Sequence, residues 1–372
     1  MTSPSDITIP PSSSTVSVQA FDIFADGSSI AAIPFLDPVL PGRDVMVSPA
    51  YAFLITHPNG RRLMFDLGAR KDADGWAPAL KAGLTSYPHF DLRVDKDAVE
   101  QLTEGGVALE SIDTVIWRHV HVLWSLVTRL TLDASSWSTG DMSKWPSSTK
   151  LVVGPGSDRR GYPTVPDAVL LDSDFAGREV EELKFLDSGL KIGSQRAIDF
   201  FNDGSLYLID MPGHCPGHIA ALARVKSNSF LLLGGDTCHH PGQIRPNPHI
   251  HKSYPCPGYL IEATRKSVSA EHFATPGATE FDLNKREAPL LSVPPPPSAY
   301  ADQQTSIKSQ QALSVLDAHK DIFVLAAHDA TLVGVIGLFP EKLDDWKEKG
   351  WKEQSLWAFL DEKHKAFRFS PC

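Results

Sequence analysis

The 372-residue sequence predicts an α/β layered sandwich. Short apolar strands dominate the first half, helical patterns are interleaved with strands in the second half, and polar residues cluster where strands end. Hydrophobic residues make up 42% of the chain and charged residues 22%, which is ordinary for a protein with a substantial core. Because no repeat or flexible linker divides the chain, we expect one domain over residues 16–372, preceded by a disordered Ser/Pro-rich tail at residues 1–15.

Charge and composition indicate which partners to expect. The formal net charge is −10 and no polybasic block occurs, so neither nucleic acid nor an anionic membrane is an expected partner. The longest apolar stretches, Phe230–Leu233 and Ile322–Ala327, are far shorter than the ~20 residues that span a bilayer. The four cysteines form no CxxC pair, and the N-terminus has no apolar signal region. We therefore expect a soluble, cytoplasmic protein; the sequence does not determine its oligomeric state.

The first half begins with strand patterns. Residues Val16–Ile23 alternate in polarity, and Ala50–Thr56 and Arg62–Asp66 flank a Pro-Asn-Gly turn that favours a tight hairpin. Ala98–Leu109 has the pattern of a helix, and Thr114–Trp117 is a short apolar strand.

Further strands and helices follow to the C-terminus. Strands are predicted at Leu151–Val153, Leu206–Ile209, Ser229–Leu233 and Ile322–Ala326, and helices at Ser306–His319 and within Asp344–Phe367. We interpret the Pro294–Pro297 run as a loop excursion within the same domain.

Histidines and aspartates follow five of the predicted strands. His119 and His121 come after Thr114–Trp117, and residues two apart on an extended chain project to the same side, so both imidazoles can reach one cation. Neutral imidazole is a good zinc ligand, although two histidines at this spacing also occur by chance. The remaining strand ends carry Asp66, His214, Asp236 and His328. A site shared by all five strand ends explains this arrangement better than five residues that each cap their own strand independently.

Five segments together carry a family resemblance. They are MFDLG (64–68), HVH (119–121), PGHCPGH (212–218), GGD (234–236) and AAHD (326–329). On these motifs the sequence resembles the metallo-β-lactamase superfamily, and within it the lactonase-like branch that includes acyl-homoserine lactonases and fungal members. The resemblance spans roughly residues 50–330 and implies a four-layer αββα sandwich.

The resemblance also implies a ligand set. His119, His121 and His214 match the histidines of the first metal site, Asp236 matches the catalytic carboxylate that bridges two metals, and His328 matches the last histidine of the second site. Asp66 matches an acid that orients the metal-binding loop. The expected cofactor is one or two Zn²⁺ ions.

One part of the family motif is interrupted. Where the family has Asp and a further His after His-x-His, this chain has Leu123 and Trp124, neither of which can bind a metal. The usual Thr-Gly continuation matches Thr139-Gly140, so residues 122–138 are either an artefact of mis-assigned splice boundaries or a genuine segment, in which Asp133 would be a substitute ligand. The loss weakens the second metal site, so we expect a one-metal or impaired enzyme.

The resemblance implies hydrolysis of a small lactone or lactam, in which metal-activated water attacks a polarised carbonyl. Fungal relatives commonly serve secondary-metabolite or plant-toxin degradation. Two alternatives stay open: a mononuclear iron, thiol-dioxygenase-like enzyme that uses His121, His214 and Asp236, and a non-catalytic binding scaffold.

Several other residues near the motifs are weaker candidates for the metal site. We expect His218 to be structural, and we expect the four central tryptophans, Trp117, Trp124, Trp137 and Trp145, to pack in the core rather than line the pocket. His239 and His240 either edge the site or lie on the surface.

Overall fold

The computed structural model describes residues 3–39, 42–72, 75–86, 90–118, 140–260 and 288–368. The strands are β1 (Ser17–Asp22), β2 (Ser29–Ala31), β3 (Val45–Val47), β4 (Tyr51–Thr56), β5 (Arg62–Phe65), β6 (Thr114–Trp117), β7 (Lys150–Val153), β8 (Gly161–Tyr162), β9 (Leu170–Leu171), β10 (Val180–Glu182), β11 (Leu190–Ile192), β12 (Gln195–Asp199), β13 (Leu206–Asp210), β14 (Ile219–Lys226), β15 (Ser229–Gly235) and β16 (Ile322–Ala326). The α-helices are α1 (Pro78–Ser86), α2 (Ala98–Glu104), α3 (Asp172–Phe175), α4 (Ile250–Ser253), α5 (Gln303–Asp317) and α6 (Trp351–Ser355).

The first large sheet has the strand order β1-β4-β5-β6-β7-β10. Its β4–β5 pair is antiparallel with Thr56 opposite Arg62, which confirms the predicted hairpin. Gly60 in the turn has a φ of 94°, a conformation that glycine adopts without steric cost. From β5 to β10 the strands are parallel, so their carboxyl ends meet at one edge of the sheet.

The second large sheet has the order β11-β12-β13-β14-β15-β16. Its strands are antiparallel up to β15, and β16 is parallel to β15. Helix α5 precedes β16 and is part of the crossover connection that the parallel β15–β16 pair requires. It confirms the helix predicted at Ser306–His319.

The two sheets pack face to face between helices. Ala20, Ile55 and Phe65 from the first sheet share one buried cluster with Leu208 and Phe323 from the second. On the outer faces, α2 covers the first sheet through Leu102 and α5 covers the second through Leu313 and Leu316. The chain is thus a four-layer αββα sandwich, as predicted.

Two terminal segments differ from the sequence prediction. Residues 3–15 are not a detached tail: Ile7 is buried against the second sheet, and Arg224 Nη2 donates to the Pro10 carbonyl at 2.5 Å. Within 344–367 the helix is broken, because Gly350 takes a left-handed φ of 64° and only Trp351–Ser355 and the 3₁₀ turn Ala358–Leu360 are helical. The tryptophans of this segment are nevertheless buried. Their helical spacing therefore predicted the burial of the side chains correctly, but it did not predict that the helix is interrupted.

Among the residues that the structure describes, no helix has the length and apolar character needed to cross a bilayer.

Candidate metal centre

The carboxyl ends of β5, β6, β15 and β16 bring polar side chains together at one edge of the sandwich. Asp66 follows β5 with a φ of 65°, a left-handed conformation that turns the chain out of the sheet, and its Oδ1 accepts from Leu67 N at 2.7 Å. Asp236 follows β15 and His328 follows β16. All three side chains are buried.

His214 is held by a loop that packs on the start of α5. The carbonyl oxygens of Gly213 and His214 accept from Asp302 N at 3.0 Å and Ala301 N at 2.9 Å. Gly213 has a φ of 127°, and a Cβ there would lie 2.3 Å from Ser306 N, so this close approach requires glycine. The loop therefore delivers the buried His214 ring to the site in a defined position.

Asp236 lies at the middle of the cluster, and its two oxygens face different histidines. Oδ2 lies 3.4 Å from His214 Nε2, and Oδ1 lies 3.2 Å from His328 Nε2. The bridging role that the resemblance implied for Asp236 stays a prediction. Of the predicted ligands, the structure thus brings His214, Asp236 and His328 together.

The other two predicted ligands, His119 and His121, lie outside the described residues, as do Leu123, Trp124 and Asp133. Their roles stay predictions.

The ring of His328 is oriented by backbone. Its Nδ1 lies 2.7 Å from the Pro49 carbonyl oxygen, which can only accept, so Nδ1 carries a hydrogen and donates. Ser48 Oγ lies 3.0 Å from the same nitrogen. Nε2 is then the ring nitrogen that faces Asp236 Oδ1 at 3.2 Å, and this oxygen also lies 2.6 Å from Arg118 Nη1.

A metal ion fits this donor set. His214, Asp236 and His239 each offer one ligand atom, and these three atoms lie within 4.8 Å of one another. Two imidazoles and a carboxylate are the nitrogen and oxygen donors that zinc prefers.

His239 is a site residue that the sequence left undecided. It is buried, and its ring lies 5.2 Å from that of His214 and 5.3 Å from that of His328, measured between centroids. Burial lowers its pKa to about 3, which keeps the imidazole neutral. The neighbouring His240 is also buried but faces elsewhere: its Nε2 lies 2.7 Å from the Ala366 carbonyl oxygen. The surface alternative is therefore wrong for both residues.

Arg118 is a second site residue that sequence reasoning missed. Its side chain is buried, Nε contacts Asp66 Oδ2, and Nη1 lies 2.6 Å from Asp236 Oδ1. Burial raises the pKa of Asp66, and the Arg118 guanidinium opposes this shift. A charged residue directly after the apolar strand Thr114–Trp117 was the signal in the sequence, since such a residue must pair when it is buried.

His218 has a structural position, in line with the expectation for it. Nδ1 lies 3.0 Å from the Met211 carbonyl oxygen, and Nε2 accepts from Asp236 N at 2.9 Å. Burial lowers the pKa of His218 to about 4. Through this contact the ring positions the backbone of Asp236.

Comparisons with known proteins agree with the fold. No family model matches the chain. It is 34% identical to gamma-lactamase FDB1 of Fusarium pseudograminearum over 373 residues, which cover 96% of this chain and 85% of that protein. It is 35% identical to metallo-hydrolase mfmC of Annulohypoxylon moriforme over 371 residues, 96% of this chain and 90% of that protein.

A further relative is much longer. The chain is 36% identical over 377 residues to a cytochrome P450 monooxygenase, mpaDE, of Penicillium roqueforti, but it spans only 39% of that protein's length. Among solved structures, AiiA of B. thuringiensis with N-decanoyl-L-homoserine at its active site has a TM-score of 0.50 at 13% identity, and the match covers 88% of this chain and 99% of that one.

The fold is that of the metallo-β-lactamases, with a histidine- and carboxylate-rich site at the edge where the strands end. The chain belongs to the same family as the fungal gamma-lactamase and metallo-hydrolase relatives, and it has the metallo-β-lactamase fold.

Proposed function

We propose that the protein is a metal-dependent hydrolase that opens a small cyclic ester or cyclic amide. The observation that carries this proposal is the convergence of His214, His239 and His328 on the carboxylate of Asp236. The proposed ligands are His119, His121, His214, Asp236 and His328, and the proposed ion is Zn²⁺, which suits imidazole and carboxylate donors.

When bound, the ion supplies Lewis acidity and lowers the pKa of a coordinated water toward ~7. The chain's residues position the reactants. Asp236 Oδ2, on the side of His214, is placed to accept a hydrogen bond from the attacking water and so to aim its lone pair at the carbonyl carbon. Ring opening joins the water oxygen to the carbonyl carbon and breaks the bond between that carbon and the ring oxygen or nitrogen. This leaving atom takes up the proton that the water releases.

We propose that the site holds one tightly bound ion. Arg118 supplies a fixed positive charge on the Oδ1 side of Asp236, and this charge partly replaces what a second ion would contribute there. The substitution of Leu123 and Trp124 for two family ligands supports the same conclusion.

For the substrate we propose a small lactam or lactone of the kind met in secondary-metabolite or plant-toxin degradation, because one relative is named a gamma-lactamase. We also propose a cytoplasmic location, on the grounds that four cysteines in 372 residues, with no CxxC pair among them, do not make a disulfide framework.

The test is hydrolysis of a panel of five-membered lactones and lactams by the zinc-loaded full chain. We expect ring opening, and we expect His214→Ala to lower kcat/KM by about 100-fold or more, because it removes a proposed ligand. His57→Gln is the matched control: His57 pairs with Asp203 at 2.8 Å beyond the other end of β4, so it should leave kcat/KM unchanged. A folded, metal-loaded protein that opens no ring, or a His214→Ala variant as active as the parent, would overturn the proposal.

A further inference from the structure

We propose that His239 is an additional metal ligand that binds through Nε2, and that Tyr300 and Gln243 are positioning residues that hold its ring in the required tautomer. The inference rests on the metal site of the proposed function and adds a donor that the family motifs do not include. All the residues that carry it lie in the described part of the chain.

The position of His239 suits a ligand. It lies three residues after Asp236, in the loop that leaves β15, and its side chain is buried beside the carboxylate. The His214 and His328 rings both lie close to it, with centroids at 5.2 and 5.3 Å, and the His328 ring is nearly parallel to it at an interplanar angle of 10°. A nitrogen placed here can reach an ion bound by His214 and Asp236.

The orientation of the Gln243 amide follows from its backbone partners. Gln243 Nε2 lies 2.9 Å from the Phe35 carbonyl oxygen and 3.1 Å from that of Ser292, and both of these oxygens can only accept. Gln243 Oε1 lies 2.8 Å from the backbone nitrogen of His239, which can only donate. Nε2 also lies 3.1 Å from the Tyr300 hydroxyl oxygen, but its two hydrogens already have the two carbonyls as partners that can only accept. Oε1 is then the acceptor that faces His239 N and the Tyr300 hydroxyl.

The Tyr300 hydroxyl connects Gln243 Oε1 to the imidazole of His239 by two hydrogen bonds. It donates to Gln243 Oε1 at 3.2 Å, so its oxygen is left to accept from His239 Nδ1 at 2.8 Å. With the hydrogen on Nδ1, the lone pair of His239 lies on Nε2. Metal-binding histidines generally have this arrangement, in which the second ring nitrogen donates to a fixed acceptor.

His240 gives an internal contrast. Its Nε2 donates to the Ala366 carbonyl oxygen at 2.7 Å, and its Nδ1 accepts from Gly242 N at 3.0 Å. Both of its nitrogens are engaged by backbone, so His240 has no lone pair to offer an ion. Two adjacent buried histidines thus have different roles, which makes His240 a matched control.

The experiment measures metal binding rather than catalysis. The chelator-treated full chain is titrated with Zn²⁺ against a competing chelator, and the visible spectrum of the Co²⁺ form is recorded. We expect His239→Gln to weaken Zn²⁺ binding by about 100-fold or more and to change the Co²⁺ bands, and Tyr300→Phe to weaken it by about 10-fold. His240→Gln should stay within about threefold of the parent, because it removes no ligand.

A His239→Gln protein that binds Zn²⁺ like the parent, with an unchanged Co²⁺ spectrum, overturns the inference. If that variant does not fold, long-range ¹H–¹⁵N spectra of the histidine-labelled parent decide instead: Zn²⁺ should shift His239 Nε2 and leave Nδ1 protonated. An unshifted Nε2 overturns the inference as well. If the metal-binding results are as expected but the protein opens no ring, the proposed function is refuted and the inference about His239 stands.

Discussion

Arg118 Nη1 lies 2.6 Å from Asp236 Oδ1, and the same guanidinium contacts Asp66 through Nε. One cation thus lies between two carboxylates, and all three side chains are buried. Burying these charges is costly unless they are paired, so the triad ties the ends of β5, β6 and β15 to one another.

Replacing Arg118 should destabilise the protein strongly. Arg118→Met leaves two buried carboxylates without their cation, and we expect the free energy of unfolding to fall by about 3–5 kcal/mol in urea denaturation. Arg160→Met is the control, since the Arg160–Asp158 pair is partly exposed and should contribute less than about 1 kcal/mol. Equal losses for the two variants would refute the role assigned to Arg118.

Metal removal should lower thermal stability. An ion that binds only the folded chain stabilises it by about 4 kcal/mol at a free concentration 1,000 times its dissociation constant, so Tm should rise with added Zn²⁺ and fall with a chelator. Calorimetry at several Zn²⁺ concentrations measures this shift. A Tm that does not respond would favour a binding scaffold without a metal.

The number of ions is a separate prediction. Because Arg118 provides the positive charge on the Oδ1 side of Asp236, we expect one zinc per chain after dialysis, measured by elemental analysis. Two ions retained with similar affinity would show that the guanidinium does not replace the second one.

Gly154 should not tolerate a side chain. A Cβ there would lie 1.9 Å from the Gly217 carbonyl oxygen, in the loop that carries His214. Gly154→Ala should therefore cost about 1–3 kcal/mol of stability through overpacking and should also weaken metal binding. Gly258→Ala, whose Cβ would meet no atom within 4 Å, is the control for both measurements. Normal metal affinity in Gly154→Ala would mean that the loop adjusts without moving His214.

Lys352 should make stability rise in alkaline solution. Desolvation lowers the pKa of Lys352 from 10.5 to about 8, and the negative charge of Asp317 opposes this shift. The ammonium group donates hydrogen bonds to the backbone carbonyls of Asp317, His319 and Ile322 at 2.6, 2.9 and 2.6 Å. Between pH 8 and 10.5 the unfolded chain binds more protons at this group, so its contribution to stability increases with pH by about 3 kcal/mol at most.

Lys352→Met removes this titration. The difference in the free energy of unfolding between parent and variant should grow in favour of the parent from pH 7.5 to pH 10. Parallel pH profiles would contradict the lowered pKa of Lys352.

Local patterns predicted much of the framework. The Pro-Asn-Gly turn and its apolar flanks specify the β4–β5 hairpin through short-range geometry. The polar residues after strands predicted that His214, Asp236 and His328 converge, because strand ends in such a sheet meet at one edge. His119 and His121 lie outside the described residues and stay predictions.

The sequence by itself therefore determined the strands and the polar residues at their ends, since periodicity and turn chemistry act over a few residues, and the family resemblance implied the αββα layers. Only the tertiary structure decided the roles of Arg118, His239 and His240. These depend on partners distant in the chain, such as Asp66 for Arg118, Tyr300 for His239 and Ala366 for His240. The role of a buried polar group depends on the atoms with which it forms hydrogen bonds or ion pairs. Because the packing of the layers determines which atoms these are, the role follows from the tertiary structure.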